Sequence, residues 1–305
     1  MSVFSSMVSL QLMLFTLIAV GILVRKLGLI DEKGRKMLSG LLINVILPCN
    51  IIQSFTSGVR PSGEFLRNCV WMLLLSAGLQ VLVYLLNRPL FCRFPDHQRS
   101  VARYGMICSN STFVGLPIAE ALFGDLGVMY TAMFQIPLRF TMWTAGLSLF
   151  TAVSKKDAFR KLLRHPCIIA VFLGLVLMCL PVNPLPGFVR DSVAALNRCT
   201  TPVSMLVIGS ILADAPLSSL FSPPVLYYSA LRLLAFPLLV YGLLLPLPVD
   251  GLLKSICLLM TAMPAGSTTS ILADQYGCDA AFAAQLVFVS TLLSIVTIPL
   301  LTLLV

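Results

Sequence analysis

Ten apolar stretches divide this chain, at roughly 8 to 24, 38 to 57, 66 to 86, 101 to 123, 128 to 151, 166 to 182, 193 to 213, 224 to 246, 252 to 273 and 280 to 304, most of them near the ~20 residues that a helix needs to cross a bilayer. Lipid offers a backbone no hydrogen-bond partners, so such segments fold as helices that pair their own N–H and C=O groups. The expected fold is an all-α membrane protein. Composition agrees, with 58% hydrophobic residues, 11% charged residues and a mean hydropathy of +0.96. The first stretch is long and runs into Arg25 and Lys26 without a small-residue cleavage pattern, which marks a spanning helix rather than a secretory signal. No loop is long enough for a separate soluble domain, so residues 1–305 are read as one membrane unit.

Charge sets the expected orientation. Arg25, Lys26, Lys33, Arg35 and Lys36 fall in the first loop, Arg88, Arg93, Arg99 and Arg103 in the third, and Lys155, Lys156, Arg160, Lys161 and Arg164 in the fifth. Arg60, Arg67, Arg190, Arg198 and Lys254 lie on or near the opposite side. The crowded side is expected to be cytoplasmic, with both termini outside the cytoplasmic membrane. A net charge of +9 then follows from topology and attraction to anionic lipid, and requires no nucleic-acid partner. The nine cysteines show no CxxC pair, and neither His97 nor His165 has a metal-ligand neighbour at helical spacing, so neither a zinc site nor any other metal site is expected.

Halving the chain gives two sets of five stretches, about 1–151 and 166–305, with landmarks at a nearly constant offset. Pro48 matches Pro202 (202 − 48 = 154), Ser111 matches Pro264 (264 − 111 = 153) and Gly124 matches Gly277 (277 − 124 = 153). An odd number of spans per half places the second half upside down relative to the first, giving ten transmembrane helices as two inverted five-helix repeats. The fourth and ninth stretches are interrupted at matching places by small and polar residues. In the fourth, Asn110, Ser111 and Thr112 precede Gly115 and Pro117; in the ninth, Pro264 and Gly266 precede Ser267, Thr268 and Thr269. Proline removes one N–H and clashes with the carbonyl four residues earlier, so Gly115, Pro117, Pro264 and Gly266 are read as helix-breaking residues. Two matched breaks that cross inside a bilayer expose backbone dipoles to a solute, with positive half-helix N-termini for an anion and free carbonyls for a cation. The competing account is a pair of ordinary proline kinks sealed by neighbouring helices.

Arg139 lies near the middle of the fifth stretch, with Gln135 one turn earlier on the same face. A guanidinium at that depth costs a few kcal/mol and normally faces a cavity or a partner, and its planar fork suits a carboxylate. The alternative is a structural arginine that caps carbonyls freed by Pro137 or by a helix break. Arg232, roughly eight residues into its stretch, is read as a structural residue that snorkels to the interface. Asn44, Asn50 and Gln53 flank Pro48, and Asn50 is the preferred lining residue of that group. All twelve acidic residues fall in loops or near helix ends, so the central carboxylate pair that proton pumps and antiporters use is lacking. No HExxH, GxSxG or GxxxxGK[ST] occurs, and neither hydrolase nor ATP-driven machinery is visible, so no catalytic residues, no enzyme activity and no cofactor are expected.

At the run Asn110-Ser-Thr-Phe-Val-Gly115-Leu-Pro117 the chain resembles the auxin efflux carrier family, which includes plant auxin exporters and bacterial malonate-type permeases. Gln135 followed by Thr141, Pro264-x-Gly266 with Ala273 and Tyr276, and Thr201-Pro-Val-Ser-Met also match in spacing. The resemblance implies a ten-helix fold of the sodium/proton-antiporter and bile-acid-transporter type with crossed broken helices 4 and 9. It implies a scaffold of helices 1, 2, 6 and 7, often dimeric, and an elevator-like transport domain of helices 3–5 and 8–10. It also implies organic-anion substrates, with Asn110 at the crossover asparagine. Arg139 stands where the plant carriers have an aromatic residue and the long central loop is missing, which points to a smaller, more highly charged carboxylate such as malonate. The expected substrate-binding residues are Asn110, Ser111, Thr112, Gln135, Arg139, Asn50, Ser267, Thr268 and Thr269, with Na+ or H+ as a possible coupling ion. Two other functions compatible with the same residues are a membrane ligand sensor that moves nothing and a sodium-coupled transporter of amphipathic solutes.

Overall fold

The computed structural model describes residues 3–56, 62–151, 160, 163–180, 185–213, 221–266 and 268–304. Among these residues the named elements are all helices, and Ser109 and Ala265 form an isolated antiparallel bridge. Among the described residues, five helical stretches are long and apolar enough to cross a membrane: Glu32–Phe55, Gly63–Leu90, Ser111–Leu149, Pro223–Leu244 and Ala280–Thr302. Pro166–Met178 and Gly251–Thr261 are shorter apolar helices.

In chain order the helices are α1 (Val3–Lys26), α2 (Glu32–Leu41), α3 (Leu47–Phe55), α4 (Gly63–Leu90), α5 (Asp96–Ile107), α6 (Leu116–Thr141), α7 (Pro166–Met178), α8 (Gly187–Arg198) and α9 (Thr200–Ala213). They continue as α10 (Pro223–Ala230), α11 (Phe236–Leu244), α12 (Gly251–Thr261), α13 (Thr268–Gln275) and α14 (Ala280–Thr302). Wide π-type turns at Leu42–Ile46, Ser111–Gly115 and Leu231–Ala235 lead directly into α3, α6 and α11. Each of these helices carries proline at its second residue, Pro48, Pro117 and Pro237. A proline there strikes the carbonyl four residues back, inside the preceding turn, and widening that turn by one residue relieves the clash without ending the helix. Pro117 therefore continues a helix rather than breaking one. Gly124 and Gly277 adopt the left-handed conformation (φ 60° and 67°), and Gly124 separates the two helical parts of α6.

The chain gathers into two compact units. One comprises residues 1–70, 112–133 and 163–214; the other comprises residues 71–111, 134–162 and 215–305. In the first unit α1 packs along α9, and α3 packs against α7 and α8. The α1–α9 crossing is made by glycines on both sides. A Cβ on Gly209 would strike the Ile18 carbonyl oxygen and sit 2.8 Å from the Gly21 Cα, and one on Gly21 would sit 2.6 Å from the Leu206 carbonyl oxygen. Small residues at such crossings let backbones approach, and here the approach leaves no room for a methyl group. Gly209→Ala is expected to lower stability by about 1–3 kcal/mol through overpacking. Gly40→Ala, where a Cβ meets open space, leaves it unchanged or slightly higher. Melting temperatures of the two variants in detergent check this.

In the second unit α14 packs against α5, α10, α12 and α13. Tyr104 and Cys108 form a buried cluster with Met142, Leu147 and Leu272, and Phe150 and Tyr276 pack against it. Gly105 lies under Tyr228, whose hydroxyl would sit 2.6 Å from a Cβ there.

Candidate substrate site at the paired helix breaks

α5 ends at Ile107, and Cys108, Ser109 and Asn110 run extended before the wide turn at Ser111. α12 ends at Thr261, and residues 262–266 are non-helical before α13 starts at Thr268. The two interruptions lie against each other as a short antiparallel pair. The Asn110 N–H donates to the Pro264 carbonyl and the Gly266 N–H to the Cys108 carbonyl, both at 2.8 Å. Each break thus satisfies part of the other's exposed backbone, which lipid cannot do. Gly266 is required by this approach, because a Cβ would lie 2.9 Å from the Cys108 Sγ and 3.1 Å from the Cys108 carbonyl oxygen. Ser290 of α14 closes the back of the pair, its Oγ accepting from the Ala265 N–H at 3.1 Å and donating to the Leu286 carbonyl at 2.6 Å.

The side chains around this pair are buried and many have no partner. Ser109 and Asn110 are 6% and 4% exposed, and Ser111 and Thr269 are fully buried. The Ser109, Ser111 and Thr269 hydroxyls are enclosed without a hydrogen bond among the described residues. Unpaired buried hydroxyls cost about 1–3 kcal/mol each, so a cluster of them marks a place where another molecule supplies the partners. Thr268 Oγ1 is 2.8 Å from the Cys108 Sγ. Gln135 reaches the first break directly, its Nε2 donating to the Ser111 carbonyl at 3.1 Å. Arg139, 6% exposed, donates from Nη2 to the Gln135 Oε1 at 2.9 Å. A chain of bonds therefore runs from the guanidinium through one amide to the backbone where the helix opens.

Asn110, Ser111, Gln135, Arg139, Thr268, Thr269, Pro264 and Gly266 all belong to the unit that contains both breaks. Ser267 lies outside the described residues. Thr112, Gly115, Pro117 and Asn50 belong to the other unit. Thr112 and Gly115 lie in the wide turn and Pro117 in the first turn of α6, so the first break falls at residues 108–110, ahead of the glycine and proline read as its cause. Asn50 is fully buried, and its Nδ2 donates to Glu120 at 2.9 Å and to the Asn197 Oδ1.

Arg232 corrects its sequence-based placement. It is 2% exposed and does not snorkel; its Nε donates to the Met263 carbonyl and its Nη1 to the Met106 carbonyl, both at 2.8 Å. The Met106 carbonyl lies in the last turn of α5, where orphan acceptors and partial negative charge collect, and the Met263 carbonyl lies in the second break, two residues past the end of α12. One guanidinium thus ties the α5 end to the second break. Gln80 and Ser290 were not singled out by sequence. For Gln80 the available signal is its place inside an apolar stretch, 152 residues before Arg232 (232 − 80 = 152).

Comparison with known proteins points to membrane transport. A family model described as a membrane transport protein matches the chain over residues 6–159 and again over residues 150–302. An uncharacterised transporter of Methanocaldococcus jannaschii is 24% identical over 297 residues, covering 95% of this chain and 96% of that protein. An uncharacterised transporter of Methanothermobacter thermautotrophicus is 25% identical over 299 residues, covering 95% of each chain. With the family model matching both halves, the chain belongs to the membrane transport protein family of the auxin efflux carriers.

Proposed function

We propose that this protein is a secondary transporter of a small organic anion, a mono- or dicarboxylate of malonate type, across the cytoplasmic membrane. The observation that carries the proposal is the buried Arg139, linked through Gln135 to the Ser111 carbonyl, in the same unit as the enclosed Ser111 and Thr269 hydroxyls, which have no partner among the described residues. A planar guanidinium matches a carboxylate with two parallel hydrogen bonds, and the Ser111 and Thr269 hydroxyls and the Asn110 amide supply donors for the remaining oxygens. Ser267 and Thr268 complete the proposed binding set.

In this proposal the ten spans form two inverted repeats, and the unit with the breaks is the moving part of an elevator-like cycle of alternating access. Two observations support this part: the chain divides into two compact units, and the family model matches two successive stretches. Glycines 153 residues apart sharing a left-handed backbone (277 − 124 = 153) add to it. Flux is driven by the substrate gradient, the membrane potential or a coupled Na+ or H+, and the termini face outward.

The test is uptake of labelled malonate and a panel of related mono- and dicarboxylates into vesicles containing the purified protein, with and without a sodium or proton gradient. Saturable uptake of at least one acid above empty vesicles is expected. Saturable binding of an acid with no flux under any gradient counts against transport and in favour of a sensor.

A further inference from the structure

A small cavity lies in the unit that holds the breaks, walled mainly by apolar side chains such as Leu79, Val83 and Phe236, with four polar residues, Gln80, Ser109, Thr261 and Arg232, on its surface. It has room for about one water-sized particle. All four polar residues are more than nine-tenths buried, Gln80 at 6%, Ser109 at 6%, Thr261 at 4% and Arg232 at 2% exposure. The Gln80 Oε1 and the Ser109 Oγ are enclosed and have no hydrogen-bond partner among the described residues. The Thr261 hydroxyl donates to the Leu258 carbonyl at 2.8 Å, which leaves its oxygen as an acceptor only.

Arg232 decides what the cavity can hold. It spends Nε and Nη1 on the Met263 and Met106 carbonyls, which leaves three of the five N–H donors of a guanidinium. No ion pair involving it occurs among the described residues. The α5 end and the Met263 carbonyl offset part of its charge, yet a full cation inside apolar walls ordinarily has an anionic partner. A metal cation is excluded by repulsion from the guanidinium. Sulfate, phosphate and a carboxylate group are too large for a space that takes a single water-sized particle.

The geometry points to a binding site for one monatomic anion of halide size, held by the free N–H groups of Arg232, the Ser109 hydroxyl and the Gln80 amide. An amide can present either end, so Gln80 turns its NH2 toward the ion. The ion neutralises Arg232 and so secures the clamp on both helix breaks. This site is separate from the one proposed for the carried solute and holds whatever that solute is.

The experiment is a thermal-melting titration of the full-length protein in detergent with sodium chloride and sodium bromide, with sodium methanesulfonate, which carries no carboxylate, keeping ionic strength constant. Both halides raise the melting temperature by about 5 °C in a saturable way, because a ligand bound only by the folded state stabilises it, and methanesulfonate alone does not. Gln80→Leu and Ser109→Ala, each of which removes a polar group that has no partner here, still fold and lose most of the halide-dependent increment. Crystals grown in bromide show an anomalous scattering peak beside Arg232. Equal melting in halide and methanesulfonate, an unchanged increment in both variants, or a bromide-free cavity each overturns the site and leaves a buried water in its place. None of these readouts involves flux, so failure of carboxylate uptake leaves this inference standing.

Discussion

Arg139→Ala lowers saturable carboxylate uptake into vesicles by roughly 10²- to 10³-fold, the effect of removing one partner of a buried, charge-assisted pair. Arg139 has 6% exposure and bonds to the Gln135 Oε1, and Gln135 bonds in turn to the Ser111 carbonyl beside the first break. Alanine removes the charge that would face the carboxylate and leaves Gln135 with one bond fewer. Arg139→Lys keeps the charge but loses the planar fork, so uptake falls less, by about tenfold, with the larger change in apparent affinity. Asn110→Ala acts in the same direction without touching the antiparallel pair, because that pair uses only the Asn110 backbone. The rival account, in which Arg139 is a structural brace, has the opposite signature: a large drop in melting temperature with uptake per folded molecule preserved. Measuring both quantities on the same preparations separates the two.

The existence of the breaks was legible in the sequence, and their mechanics only in part. Small and polar residues inside membrane-length stretches announce backbone that a single helix cannot satisfy, and Pro264 and Gly266 lie in the second interruption as expected. The first interruption contains neither glycine nor proline. Cys108, Ser109 and Asn110 are held extended by pairing with residues about 155 positions away, a tertiary constraint with no local signature. Pro117 misleads for the complementary reason, since the wide turn before it absorbs the clash that a regular helix could not. Gln135 and Arg139 were legible because i, i+4 spacing on one helix is a local fact. Arg232 was not, because depth along a stretch says nothing about carbonyls that arrive from 31 and 126 residues away. Asn50 likewise takes its partners from 70 and 147 residues away.

Arg232→Leu removes about 3–5 kcal/mol of stability, the largest loss expected from any single change outside the substrate site. The Met106 and Met263 carbonyls lose their donors together, and each buried acceptor left unpaired costs about 1–3 kcal/mol. Leucine supplies no donor, and the neighbouring Met106, Phe236 and Met260 side chains supply none in its place. The loss falls on the geometry of the breaks, because Met263 immediately precedes Pro264, whose carbonyl accepts from the Asn110 N–H. When the Met263 carbonyl is freed, the antiparallel pair loses the anchor on one strand, and the hydroxyls of Ser109 and Thr269 lose their fixed positions. Arg232→Lys keeps a cation but has one compact donor head that reaches one carbonyl well, so its melting temperature falls between those of the wild type and the leucine variant. A leucine variant that melts within one or two degrees of the wild type would show that the α5 end and the second break hold together without the clamp. The breaks would then be fixed by their mutual backbone pairing and by Ser290 alone.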